Sequence, residues 1–219
     1  MENETKIIVS RYTEDVSWLK DYPFDHVIYN KGPKIEGDYN VLDVENIGNN
    51  QRDIFEYIYN NYDNLPSTMA FVQGNPFDHC PVPQFNERIN NTTFTELSYL
   101  PNVTANQNTQ LSPNGVYMEH NNSWYVMSHN NTWKQTCQWG TFDDFMLATF
   151  KNYTKEYWVT FVPGSQYIIT RDIAKFYSKT FWKYLMDILH KNNMTEGHII
   201  ERSLWMIFNC TLEPIDSLK

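Results

Sequence analysis

An acid stands beside a histidine at Asp78-His79, where the apolar run "TMAFVQ" (68–73) passes through Gly74 and Pro76 into a polar turn. A carboxylate next to an imidazole can ligate a divalent cation, and such a cation can neutralise a diphosphate leaving group. Two ligands do not complete a metal site, and a solvated turn acid with an ordinary histidine fits the same spacing. A second carboxylate, Glu201, shares a helical face with Leu204, Trp205 and Phe208. Burial makes such a group costly unless it is paired. Glu201 is therefore either bound to an arginine such as Arg202, Arg171 or Arg52, or aimed into an active cleft as base or nucleophile. Arg52 and Asp53 follow the glycine-containing loop "NIGNN", and a loop of that kind feeding a helix N-terminus is a ready anion site. Arg11 and Lys31 each follow an apolar run and could reach the same place, although single basic residues also suit a solvated surface. Tyr12 could stack on a base.

These groups need elements that bring them together. "KIIVS" (6–10) and "HVIYN" (26–30) have the signature of short strands, with Thr13 placed to cap a helix over 14–20 between them. Ile54, Phe55, Ile58, Tyr59 and Tyr62 recur at helical spacing after Asn49 or Asn50 as cap, and Pro66 lies beyond the end. The strand 68–73 then leads to Asp78. Such alternation predicts an α/β sheet, whose ligands sit outside the carboxyl ends of the strands. Three ends are implicated: Ser10-Arg11-Tyr12, Asn30-Lys31-Gly32 and Gln73 to His79. In the Asn-rich middle, Thr93 and Glu96 form a capping box that predicts a helix through Leu100, and "GVYMEH" and "SWYVMS" have strand character. A segment this irregular inside one domain suits a binding loop or lid. Thr141 and Asp144 make a second capping box. "YWVTFV" and "QYIIT" follow as strands around Pro163-Gly164, and one apolar stripe from Ile173 to Leu189 predicts a long helix between Asp172 and Asn192-Asn193. A last helix covers 198–209.

The chain of 219 residues is long enough to bury a core and fits one domain, 1–219. A hydrophobic fraction of 41% excludes the disordered class, and no apolar run reaches the roughly 18 residues a membrane helix needs. The start lacks a basic and hydrophobic leader, and the three cysteines, Cys80, Cys137 and Cys210, are odd in number and lack metal spacing. Both features point to reduced thiols in the cytoplasm, so the Asn-x-Ser/Thr triplets carry no weight. A net charge of -9 argues against nucleic acid as a partner. An anionic ligand would require a local basic group or a cation.

Six segments occur in a familiar order: "IIVSRYTEDVSWL", "VIYNKG", "NIGNNQRDIFEYIYNNYDNLP", "FVQGNPFDH", "GSQYIITRDIA" and "EGHIIERSLWMIF". Together, over about residues 6–209, they resemble the DUF3431-type family of fungal, bacterial and viral proteins, and are most similar to the N-terminal glycosyltransferase domain of a large chlorella-virus glycan-building protein. The resemblance implies a GT-A-like fold with a mixed central sheet flanked by helices on both sides. It further implies a UDP-sugar donor, Mn²⁺ or Mg²⁺, a glycan acceptor, a host cytoplasm if the chain is viral, and room for fusion to further domains. By the same resemblance Asp78, with His79, stands where GT-A enzymes carry an Asp-x-Asp metal motif. Here Pro-Phe-Asp-His-Cys supplies no second acid, so diphosphate and water would complete the coordination. Ser10, Arg11, Tyr12 and Lys31 fall at the uridine, and Gly48, Arg52, Gln73 and Gly74 around the nucleotide-sugar. Glu201 and Arg202 fall in the closing E-R-x-W motif, with Glu201 as the catalytic carboxylate beside Asp78. Two alternatives stay open: a non-catalytic carbohydrate-binding module in which Trp124, Trp133 and Trp139 stack on sugar rings, and a metal-dependent hydrolase.

Overall fold

The apolar runs of the first third are strands whose central residues are buried on both faces. In the computed structural model, which describes residues 4–100, 105, 108–113, 115–121, 138–189 and 194–219, they are β1 (Thr5–Arg11), β2 (Asp25–Asn30) and β4 (Thr68–Gln73). The short β3 (Val41–Asp43) lies beside β2. These four run parallel in the order β3-β2-β1-β4. Two antiparallel strands complete the sheet, β9 (Tyr167–Thr170) against β4 and β5 (Thr95–Glu96) against β9. The architecture is α/β, as the alternation of elements predicts, and its central sheet is mixed, as the family resemblance implies.

Side-chain alternation divides the core into two layers. Ile8, Met69, Phe71, Tyr167 and Ile169 face a large layer with the helices α1 (Asn49–Asn60), α3 (Phe142–Thr149), α5 (Lys179–Ile188) and α6 (Met194–Phe208). Ile7, Val9, Ala70, Val72 and Ile168 face the other layer, closed by Trp18, Leu19 and Phe85. Phe85 belongs to α2 (Val82–Arg88), a helix whose opening prolines, Pro81 and Pro83, give it the sequence signature of a loop. A second, antiparallel sheet, β6 (Thr109–Leu111), β7 (Tyr117–His120) and β8 (Trp158–Thr160), holds two of the expected later strands. The strand expected at "SWYVMS" and the helix end expected at Asn192-Asn193 lie outside the described residues.

Three local expectations are corrected. The helix expected over 14–20 is a 3-10 turn at Ser17–Asp21, and Thr13 caps nothing. Glu14 Oε2 instead accepts from the N–H groups of Tyr12 and Thr13, and Asp15 accepts from Ser17, so short acids hold the backbone in turns that compete with a helix. The capping box at Thr93 and Glu96 starts no helix. Thr95 and Glu96 pair with β9, and Thr95 Oγ1 donates to Thr93 O. The long stripe of 173–189 is two helices, α4 (Arg171–Phe176) and α5, divided where Tyr177 turns extended and Ser178 begins a new cap. By contrast, Thr141 Oγ1 accepts from Asp144 N as its capping box predicts.

The division depends on Ser178, whose Oγ accepts from Phe181 N at 3.0 Å and donates to Leu218 O at 2.8 Å. Ser178→Ala is expected to destabilise the fold by about 1 kcal/mol. In calorimetry that is a fall in Tm of about 2–4 °C for a chain of this size; a variant melting with wild type would show that packing alone makes the break.

Candidate functional site

The register of the sheet sets three strand ends level. Ser10 pairs with Tyr29 on one side and with Gln73 on the other, and Arg11 pairs with Asn30. From β1 the chain proceeds to β2 and β3 on one side, while β4 lies on the opposite side, so strand order reverses between β1 and β4. That is the switch point at which open α/β sheets place ligands. A cleft of about 450 Å³ opens there. Ser10, Arg11, Tyr12, Lys31, Gln73, Asp78 and Glu201 all line it. Residues more than a hundred positions apart in sequence are thereby brought to one place.

Two of these groups are occupied by the fold. Lys31 Nζ lies 3.0 Å from Asp53 Oδ1 and 3.2 Å from Ile47 O, and it also donates to Asn49 O. All three ammonium hydrogens are thus engaged. Asp53 is 2% exposed and its other oxygen accepts from Ser10 Oγ. Burial pushes the Asp53 carboxyl up to about 6, against the opposing pull of the Lys31 ammonium and the Ser10 hydroxyl. Arg11 is wrapped in acceptors, donating to the carbonyls of Glu14 (2.8 Å), Tyr12 (3.1 Å) and Pro33 (2.8 Å) and to Asn30 Oδ1 (2.6 Å). The chain crosses itself here: Lys31 N donates to Arg11 O, and a Cβ on Gly32 would come within 1.6 Å of Tyr12 O, so only glycine fits.

Carboxylates face the remaining space. Asp78 is exposed at the end of a 3-10 turn (Pro76–Asp78), and its Oδ1 accepts from Asn75 Nδ2 at 2.8 Å. The turn is anchored from below by buried Gln166, which accepts from Gln73 N and donates to Pro76 O and Leu97 O. Glu14 and Glu201 complete the acidic lining. Glu201 has the arginine partner that one of its two expected readings requires, and it also lines the cleft: its oxygens accept from Gly164 N at 2.9 Å and Arg202 Nη1 at 3.4 Å, and His198 Nδ1 lies 3.7 Å away. With Lys31 and Arg11 committed, a diphosphate would meet an acidic surface and would need a cation with it.

The structure sets four expected site residues outside the lining. Arg52 points away, donating to Met186 O (2.9 Å) and Leu189 O (3.4 Å) at the end of α5. Gly48 is the left-handed N-cap of α1, packed under Leu189 O. Gly74 lies beneath Glu14, and its carbonyl accepts from Trp18 Nε1. The His79 ring lies against Gly164, where a Cβ would stand 2.5 Å from its Cδ2. Among the described residues no group of three or more His, Cys, Asp or Glu is placed to hold a metal. The donors present fit a hard cation held by Asp78 and completed by phosphate oxygens and water, and do not fit a histidine-rich cage.

Two cleft residues, Gln51 and Asn75, carried no sequence signal beyond their abundance, whereas Asn46, Asn49 and Asn50 belong to the loop read as an anion site; Asn49 and Asn50, expected as the cap, are the first two residues of α1, and Gly48 takes the N-cap place with no side-chain cap. Trp139, expected as a sugar platform in the binding-module alternative, is instead a core residue, 6% exposed with its ring 4.9 Å from that of Phe145. Trp124 and Trp133 lie outside the described residues. No described helix is long and apolar enough to cross a membrane.

A family model described as "Protein of unknown function (DUF3431)" matches residues 7–214. No curated protein and no solved structure matches the chain.

Removing Asp53 would leave the Lys31 ammonium buried without its counter-charge. Asp53→Ala is expected to lower stability by about 3–5 kcal/mol in chemical unfolding. Because folding raises this carboxyl from 3.8 to about 6, the folded state binds the proton more tightly. The associated stability is fully present below the unfolded value and is lost as pH rises through the folded one. Wild type is therefore expected to gain stability relative to Asp53→Asn as pH falls from about 7 to about 4; a pH-independent difference between the two would show that Asp53 does not titrate in that window.

Proposed function

The chain belongs to the DUF3431 family, and we propose that it is a GT-A-like glycosyltransferase. In this reading the switch-point cleft binds a UDP-sugar with Mn²⁺ or Mg²⁺ and passes the sugar to a hydroxyl of a glycan acceptor. The composition of the cleft carries the reading. Six carboxamides line it, Asn46, Asn49, Asn50, Gln51, Gln73 and Asn75, and among the described residues no aliphatic side chain does. Most small-molecule pockets are largely apolar. A carboxamide offers a donor and an acceptor from one planar group, which suits ligands dense in hydroxyls. The half-exposed ring of Tyr12, at 52%, adds a stacking surface for a base at the rim.

Glycosyl transfer breaks the bond between the anomeric carbon and the leaving phosphate oxygen and forms one to the acceptor oxygen, whose proton must pass to a base. Glu201 is the proposed base, since its carboxylate enters the cleft already oriented by Gly164 N–H and Arg202. Asp78 would hold the cation, with Asn75 fixing the carboxylate's rotation. When bound, the cation supplies electrostatic stabilisation of the departing diphosphate. Ser10, Lys31 and Arg11 act indirectly, by fixing the floor and the entry loop.

Calorimetry with UDP and Mn²⁺ is expected to show binding that Asp78→Ala weakens at least about tenfold, near 1.4 kcal/mol. Glu201→Gln is expected to keep UDP binding and lose about 10²–10⁴ in turnover. Failure to release UDP from any UDP-sugar in the presence of glycan acceptors would favour a sugar-binding module. Release that acceptors do not accelerate would favour a hydrolase.

A further inference from the structure

A second, smaller pocket of about 180 Å³ lies between the end of β5 and the small sheet, lined by Arg88, Glu96, Ser98, Tyr99, Tyr117 and Phe161 among others. Arg88 and Glu96 bring opposite charges to it, yet their side chains do not pair. Each is fixed elsewhere: Arg88 Nη1 donates to Glu96 O at 2.9 Å and Ser98 O at 2.6 Å, and Glu96 Oε1 accepts from Trp205 Nε1 at 3.1 Å. Among the described residues Arg88 Nε and Nη2, Glu96 Oε2 and Ser98 Oγ have no hydrogen-bond partner, and none of these atoms is sealed from solvent. The Tyr99 ring, 38% exposed, has its centre 6.0 Å from the Arg88 guanidinium carbon.

These groups select a ligand class. An anion meets the Glu96 carboxylate and a cation meets the Arg88 guanidinium, so neither charge is favoured as a whole. A neutral ligand dense in hydroxyls satisfies both, because a hydroxyl donates to Glu96 Oε2 and also accepts from the guanidinium. The Tyr99 ring adds an apolar face for the C–H side of a sugar ring. A peptide added as a strand is disfavoured. β5 is the edge of its sheet, and on its free side the carbonyls of Glu96 and Ser98, which an added strand would need, are taken by Arg88.

The pocket adjoins the cleft through two contacts. Tyr99 N donates at 2.7 Å to the carbonyl of His79, the neighbour of Asp78, and the Phe161 ring centre lies 4.4 Å from the guanidinium of Arg202, which bonds to Glu201. We propose that this pocket binds a neutral sugar unit, namely a non-reacting sugar of the glycan acceptor whose reacting hydroxyl lies at Glu201. The acceptor role rests on the glycosyltransferase reading, whereas the ligand class does not. Arg88 and Glu96 then act as specificity-determining residues, since a sugar lacking the hydroxyl between them leaves both unpaired.

Saturation-transfer NMR on the full chain, with a panel of methyl hexosides, 6-deoxyhexosides and pentosides, is expected to show at least one that binds. Tyr99→Ala is expected to weaken that glycoside about fivefold or more, with binding of UDP and Mn²⁺ in calorimetry unchanged. Glu96→Gln keeps an acceptor for Trp205 and is expected to weaken the same glycoside, again with UDP unchanged; it carries the test should Tyr99→Ala fail to fold. If no glycoside binds wild type, or the variants bind it equally well, the pocket is not a sugar site, and UDP binding by the same protein leaves the glycosyltransferase reading standing. Parallel loss of UDP and glycoside overturns the site by moving the sugar into the cleft. Glycoside binding that the variants weaken, with no UDP binding by wild type, keeps the sugar pocket and overturns the acceptor role together with the transferase reading.

Discussion

The Lys31 ammonium joins four pieces of chain at the mouth of the sheet. It leaves the end of β2, reaches Asp53 in the second turn of α1, and takes the carbonyls of Ile47 in the intervening loop and of Asn49 at the helix start, while Ser10 at the end of β1 closes on the other Asp53 oxygen. The ion pair is nearly dry, with side-chain exposures of 5% and 3%. Withdrawing two charges from water is unfavourable unless nearly every proton and lone pair finds a partner. Here the ammonium hydrogens are all engaged and both carboxylate oxygens are bonded, which makes the cluster a satisfied network that fixes one geometry. Its effect is to set where α1 begins relative to the strand ends.

From that anchor the walls of the cleft follow. The chain enters α1 through consecutive left-handed residues, Gly48 and Asn49, and the facing loop passes through another pair, Gly164 and Ser165. Asn49 and Ser165 have side chains, so their left-handed backbones store strain of about 1–2 kcal/mol each. The Gly164-Ser165 pair is clamped to the two residues that follow Asn49, Asn50 Nδ2 donating to Gly164 O and Gln51 Nε2 to Ser165 Oγ. Gly197 at the start of α6 completes the contact, since a Cβ there would stand 2.7 Å from Asn49 Nδ2. Strain is thus concentrated where the start of α1 meets the 164–165 loop, and the surrounding bonds over-determine it.

The sheet and the position of the cleft were legible because they rest on local pattern. Apolar runs at 68–73 and 167–170 are recognisable as strands whatever they pair with, and a parallel sheet confines its ligands to the strand ends. Partners across the fold carry no such local pattern. Arg52 looked free to bind an anion because the carbonyls it serves, those of Met186 and Leu189, lie 134 and 137 residues further on. Lys31 looked available for the same reason. Periodicity failed in a different way at 171–189: the apolar spacing runs on through both helices and is blind to the extended residue Tyr177 between them, a break that leaves Phe176 at 53% exposure. At 14–20 and 93–96 the capping residues were present, but their side chains or strand pairing served turns and β-structure instead.

The adjacent pair Glu201-Arg202 shows how one helix can serve a cleft and a scaffold together. Neighbours on a helix point about 100° apart, so α6 turns Glu201 to the cleft and Arg202 to the small sheet. Arg202 is 7% exposed, donates through Nε and Nη2 to Glu119 Oε2 at 3.0 and 2.8 Å, and lies 4.4 Å from the Phe161 ring centre. Glu119 sits on β7, so the second sheet is fastened to the helix that carries the cleft carboxylate. Arg202 Nη1, 3.4 Å from Glu201 Oε2, extends that fastening to the cleft itself. A lysine could not replace it, because a single ammonium lacks the planar fork that reaches Glu119 and Glu201 while lying over an aromatic face. The position of Glu201 is therefore a consequence of how the small sheet docks.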